Sequence, residues 1–118
     1  MLSAKRRYFL YRPAADMRRG FDGLGQLVQE QMGGSLMSED MFIFLNRDRT
    51  LLKLLVWEPG GFSLFYRRLE QGTFELPAGT GDSKSLEVTS DQLLFMLKGV
   101  CLEKIQYRPR YQHDGLKC

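Results

Sequence analysis

Met41-Phe42-Ile43-Phe44-Leu45, Leu51-Leu52-Lys53-Leu54-Leu55-Val56-Trp57 and Phe62-Ser63-Leu64-Phe65-Tyr66-Arg67-Arg68-Leu69 are three apolar runs separated only by short turns. Asn46-Arg47-Asp48-Arg49 parts the first from the second, and Glu58-Pro59-Gly60-Gly61 parts the second from the third. Apolar runs joined by short Gly, Pro, Asn and Asp turns predict strands joined by hairpins. The stretch is therefore expected to form an antiparallel meander. Its middle run is apolar on both alternations, with Leu51, Leu55 and Trp57 on one and Leu52, Leu54 and Val56 on the other. A strand of that kind is covered on both faces, and Trp57 is expected to be largely buried.

Upstream, Arg6-Arg7-Tyr8-Phe9-Leu10-Tyr11 is short and aromatic and stops at Pro13, which predicts an N-terminal strand. Phe21, Leu24, Leu27, Val28 and Met32 then recur every three or four residues. They predict one long amphipathic helix from about Met17, with Asp16 as N-cap and Gly33-Gly34 as the stop. Gly20, Gly23 and Gly25 inside it each cost about 1 kcal/mol relative to alanine, a loss that close approach to a sheet would offset. Downstream, residues 77–85 (Pro77 to Ser85) have the composition of a flexible loop. Thr89-Ser90-Asp91-Gln92 is a capping box that opens a second, shorter helix through Leu93, Leu94, Met96 and Leu97. Residues 102–118 form a polar, partly basic tail. The fold class is α+β: a β-meander with an added N-terminal strand, a long helix on one face and a shorter C-terminal helix. Residues 1–118 are expected to form one domain.

Composition limits the function. The chain has 118 residues, 43% of them hydrophobic and 12% aromatic, enough for one core without staples. Two distant cysteines, Cys101 and Cys118, make no disulfide framework and point to a reducing compartment. The basic start, Lys5-Arg6-Arg7, lacks the apolar segment of a signal peptide, and no run is long enough to span a bilayer. A cytoplasmic protein with no membrane association is expected. The lone histidine, His113, has no neighbouring nucleophile, and neither the cysteines nor the acidic residues have metal-ligand spacing. Gly20-Phe21-Asp22-Gly23-Leu24-Gly25 falls inside the predicted helix instead of before it, so it is not a dinucleotide fingerprint. No enzyme activity, metal or cofactor is expected.

What remains is arginine. The net charge is +3, and residues 1–69 carry eleven basic against seven acidic side chains, whereas residues 70–118 carry six against seven. Eleven of the seventeen cations are arginines, whose planar fork suits phosphate and carboxylate. Arg18-Arg19, at the predicted helix start, requires an anion nearby, which could be Asp22 one turn on or a bound phosphate. Arg47 and Arg49 occupy a turn. Arg67 and Arg68 face opposite sides of a strand, so only one of them can join a single basic face. Arg108 and Arg110 interleave with Tyr107 and Tyr111 as in single-strand binders, a pattern a solvated tail also produces.

These residues also carry a resemblance. Tyr11-Arg12-Pro13 with Asp16-Met17-Arg18-Arg19-Gly20-Phe21-Asp22-Gly23-Leu24 is one signature. Asn46-Arg47, Lys53-Leu54-Leu55-Val56-Trp57 and Gly61-Phe62-Ser63-Leu64-Phe65-Tyr66-Arg67-Arg68-Leu69-Glu70, completed by Gly72, Phe74 and Pro77, is a second. Together they resemble the small accessory protein (the Orf2, or TnpB-type, product) of the insertion-sequence-66 transposon family, from Tyr8 to about Arg110. Leu76 departs from the pattern, where many relatives carry an aromatic before the proline. The RNA-guided nucleases that share the TnpB name are a different group. The resemblance implies a non-catalytic accessory factor in DNA transposition, partnered by the transposase of the same element, and it assigns no catalytic residue. The expected DNA contacts are Arg18, Arg19, Arg47, Arg49, Arg67, Arg108 and Arg110. The alternative is an adaptor that binds the transposase without touching DNA. Self-association is left open.

Overall fold

The computed structural model describes residues 6–35, 38–77, 79, 81–98, 100–101 and 106–107. Its order is β1 (Tyr8–Tyr11), α1 (Phe21–Leu27) continued by a π-helical turn (Val28–Met32), β2 (Met41–Leu45), β3 (Leu51–Glu58), β4 (Gly61–Arg68), β5 (Ser85–Val88) and α2 (Ser90–Lys98). A short hairpin, β6 (Val100–Cys101) with β7 (Gln106–Tyr107), follows. The main sheet has the spatial order β4-β3-β2-β1-β5.

The expected meander forms in register. Met41 to Leu45 lie opposite Val56 to Leu52, and Leu51 to Glu58 lie opposite Arg68 to Gly61. The sheet as a whole is mixed, not antiparallel. β1 runs parallel to β2, with Tyr8 opposite Met41, because the helical crossover between them returns the chain to the same end of the sheet. On its other side β1 pairs antiparallel with β5. That edge strand begins at Ser85, inside the stretch expected as loop.

Side chains alternate between two cores. Tyr8, Leu10, Met41, Ile43, Leu45, Leu52, Leu54 and Val56 pack with Val88, Phe74 and the α2 residues Leu93 and Met96. Tyr11, Phe42, Phe44 and Leu55 pack with Ala15 and with Leu24, Leu27 and Val28 of the first helix. The second face of the sheet is thus covered by α2 and the segment bearing Phe74. The capping box forms as expected: Gln92 N–H donates to Thr89 Oγ1 at 3.0 Å, and Thr89 N–H donates to Gln92 Oε1 at 2.8 Å.

Two further expectations are corrected. The first helix starts at Phe21, not Met17, and Gly20 is its N-cap without a side-chain cap. Residues 16–19 form a separate turn, closed by Arg19 N–H on the Asp16 carbonyl, with the Met17 and Arg19 carbonyls engaged by Lys53 instead of entering the helical ladder. The helix does end at Gly33, whose φ of +67° is left-handed and suits glycine. Of its expected apolar face, Leu24, Leu27 and Val28 are buried, while Phe21 is exposed and Met32 half-buried. Trp57 is also only half-buried. It stands at the hairpin end of β3, edge-on to Phe62 with ring centroids 4.8 Å apart.

Candidate functional site

The structure sorts the arginines into those it neutralises and those it leaves to solvent. The turn at residues 16–19 pairs Arg18 with a carboxylate and ties Arg19 to a backbone carbonyl. Asp16 accepts the backbone N–H of Arg18 at 2.9 Å and a two-pronged guanidinium bond, with NH2 to Oδ2 at 2.8 Å. That arrangement holds the Asp16 carboxyl at about 2, below its ordinary value of 3.8, chiefly through the Arg18 side-chain hydrogen bond and then the backbone one. Arg18 therefore pairs with Asp16 and not with Asp22, although its side chain is 91% exposed. Arg19 lies across Gly23, where an added Cβ would meet Arg19 Cβ and Cγ at 3.0 Å, and its guanidinium donates to the Gly23 carbonyl at 3.1 Å.

Beneath this turn sits Lys53, in the middle of β3 and only 7% exposed. Its ammonium donates to the carbonyls of Met17 (2.6 Å) and Arg19 (2.8 Å), and it lies 5.0 Å from the centre of the Tyr66 ring. A lysine inside an apolar run is tolerated because those partners replace its hydration. The anion expected near the helix start is supplied, in effect, by Asp16 and backbone carbonyls.

The β2–β3 turn is built differently. Asn46 holds it: Oδ1 accepts from Thr50 N–H at 2.9 Å and from Leu51 N–H at 3.0 Å, while Nδ2 donates to Thr50 Oγ1 at 3.1 Å. Arg49 N–H donates to the Asn46 carbonyl, and the Arg49 carbonyl accepts from Phe74 N–H at 2.7 Å. Phe74 is itself fully buried, so the turn is tied to the core. Arg49 is held at φ +58°, a left-handed conformation that costs a residue with a Cβ about 1–2 kcal/mol. Arg47 and Arg49 are both exposed. Neither takes part in the ion pairs among the described residues, which are Arg7–Asp40, Arg18–Asp16 and Arg68–Glu70.

Arg47 and Arg49 line a cleft of about 150 Å³ together with Arg12, Pro13, Ala14, Leu45, Asn46 and Leu76. Arg12 comes from the end of β1, where its backbone N–H donates to the Lys84 carbonyl and its guanidinium to the Gly81 carbonyl at 3.1 Å. Two segments far apart in sequence, Tyr11-Arg12-Pro13 and Asn46-Arg47, thus meet at one end of the sheet. The opposite end differs. There Arg7 makes a two-pronged pair with the buried Asp40 at 3.0 and 3.2 Å.

Of the arginines expected from sequence, Arg47 and Arg49 are brought together and Arg12 is added to them. Arg18 and Arg19 sit on the turn before α1, tied as described. Arg67 projects towards α2 and donates to the Leu97 carbonyl at 3.2 Å, while Arg68 pairs with Glu70 on the other side of the strand. Arg108 and Arg110 lie outside the described residues. Arg12 was missed because a strand-ending Arg-Pro carries no mark of what lies beside it, although its place in the first signature was a signal. Among the described residues no group of three or more His, Cys, Asp or Glu side chains is placed to hold a metal ion. No helix of the described residues is long and apolar enough to cross a membrane.

Comparison with known proteins bears on the same segments. The family described as "IS66 Orf2 like protein" matches residues 6–107, which include both signatures and every residue of the cleft. A protein of Sinorhizobium fredii (strain NBRC 101917 / NGR234), called "Uncharacterized protein y4hO", is 35% identical over 86 residues, covering 72% of each chain. No solved structure matches.

Proposed function

The chain belongs to the IS66 Orf2-like family, which implies an accessory role in transposition, and from that premise we propose that it grips the DNA phosphate backbone with the Arg12–Arg47–Arg49 cleft. The single observation that carries this reading is the state of the β2–β3 turn. Its backbone is fixed by Asn46 and Phe74, at the expense of a left-handed Arg49, while Arg47 and Arg49 are exposed. Strain retained in a turn that several bonds over-determine is a mark of functional positions. Arginines held ready in this way lose little freedom on meeting a phosphate, and their planar fork matches its oxygens. Arg67 lies on the face towards α2 and Arg18 is spent on Asp16, so both are secondary contacts in this scheme.

Backbone contacts position a protein on DNA without reading its sequence. Choice of the element's ends is therefore assigned to the transposase, with this chain acting beside it and contributing no chemical step. The test is binding of the pure chain to duplexes of transposon-end and scrambled sequence across a salt series. Three phosphate contacts predict a slope of log K against log salt near −2.7, at about −0.9 each, and similar affinity for both duplexes. No binding at low salt would reject the reading and favour the adaptor that binds the transposase alone.

A further inference from the structure

The outer edge of β4 is the second conspicuous surface. β4 is eight residues long and stands at the edge of the sheet, and among the described residues nothing pairs with its outer side. Leu69 N–H donates inward to the Thr50 carbonyl. Backbone groups alternate along an antiparallel strand, so those of Phe62, Leu64, Tyr66 and Arg68 point outward. Two of the exposed large apolar side chains of the protein flank this edge: Phe65, 43% exposed on the α2 face, and Tyr66, 58% exposed on the α1 face. A long edge with exposed aromatics is a template for strand pairing.

We infer that β4 pairs antiparallel with β4 of a second copy, about a two-fold axis at Phe65, so that the two sheets become one. The distribution of charge selects this occupant and this direction. Both cations of the strand, Arg67 and Arg68, lie at its C-terminal end, and it carries no acid. A parallel copy would set these cations beside their equivalents, which is unfavourable. The antiparallel register at Phe65 sets Arg68 against Phe62 of the second copy, Arg67 against Ser63 and Tyr66 against Leu64. No like charges then face one another, Phe65 meets its own equivalent, and the outward N–H and C=O groups are matched. The same patch serves both partners, as closed two-fold symmetry requires.

The experiment has two parts on the full chain. Sedimentation or light scattering across a concentration series should show a species of twice 13.7 kDa, and Phe65→Lys, at an exposed site, should abolish it and melt at the temperature of dilute, monomeric wild type. In a Cys101→Ser, Cys118→Ser background, oxidation of Phe65→Cys should crosslink the dimer. Opposed residues of this kind lie about 4.5–5.5 Å apart, within disulfide reach. Ser63→Cys should not crosslink, because the two copies of residue 63 are offset by four residues, about 13 Å. A chain that remains monomeric at every concentration overturns the inference, as does a dimer that survives Phe65→Lys or one that crosslinks through residue 63 and not 65.

Discussion

The turns at residues 16–20 and 46–50 each present two arginines on a tight loop anchored by a short polar side chain, yet their cations end in opposite states. In the first the anchor is Asp16, an anion that accepts from both the backbone and the guanidinium of Arg18. In the second it is Asn46, a neutral amide whose bonds all go to Thr50 and Leu51. The difference of one side-chain group decides what is left over. Asp16 spends its charge on Arg18, whereas Asn46 fixes geometry and leaves Arg47 and Arg49 outside the ion pairs among the described residues. Support from beneath differs as well. Lys53 holds the first turn by its carbonyls, and the backbone of buried Phe74 holds the second. An arginine count alone would rank the two turns equally, but their anchors do not.

The comparison can be broken at either support. Phe74→Ala removes a fully buried ring and should cost about 3–5 kcal/mol, measured by urea denaturation. A loss under about 1 kcal/mol would show that the second turn is not tied to the core. Lys53→Met leaves the Met17 and Arg19 carbonyls without their donor and should cost about 1–3 kcal/mol, with no change in the salt dependence of DNA binding. A variant as stable as wild type would remove Lys53 from the first turn's support.

Smaller changes sharpen the contrast. Arg49→Gly relieves the left-handed strain of about 1–2 kcal/mol but gives the unfolded chain more freedom, worth about 0.4–1 kcal/mol. The expected net is a protein up to about 1.6 kcal/mol more stable that binds DNA less well, which separates function from folding at one position. Destabilisation would mean that the Arg49 side chain itself supports the turn. The smallest effect concerns Asp16. Its folded carboxyl, at about 2, lies below the ordinary 3.8, so its contribution to stability is fully present above the ordinary value and is lost as pH falls through about 2. The stability difference between wild type and Asp16→Asn should therefore shrink as acid is added across that window. A difference that grows there would contradict the Arg18–Asp16 assignment.

Much of the sheet was legible because its signals are local. Asn46-Arg47-Asp48-Arg49 and Glu58-Pro59-Gly60-Gly61 mark both hairpins, and the continuous apolar run of β3 marks a strand buried on both faces. The parallel partner of β1 was not legible, since a crossover of some thirty residues leaves no local trace of where the chain returns. The four residues of β5, between a glycine-rich stretch and a capping box, are too few for a pattern. Asp16 misled because an acidic side chain looks the same whether it caps a helix or closes a turn on itself. Lys53 looked like an interruption in an apolar run, and only the carbonyls of residues 17 and 19 explain it. In the site, Arg47 and Arg49 could be named from sequence. Their union with Arg12 depends on β1 lying beside β2, the very pairing that sequence did not reveal.

The most direct measurement compares two double variants by their salt dependence on the same duplex. Arg47→Ala with Arg49→Ala should flatten the slope of log K against log salt by about 1.8, two contacts at about 0.9 each. Arg18→Ala with Arg19→Ala, on the turn before α1 and outside the cleft, should leave the slope nearly unchanged. If instead the second pair flattens the slope and the first does not, the cleft is not the DNA contact and the contrast between the two turns has been read backwards.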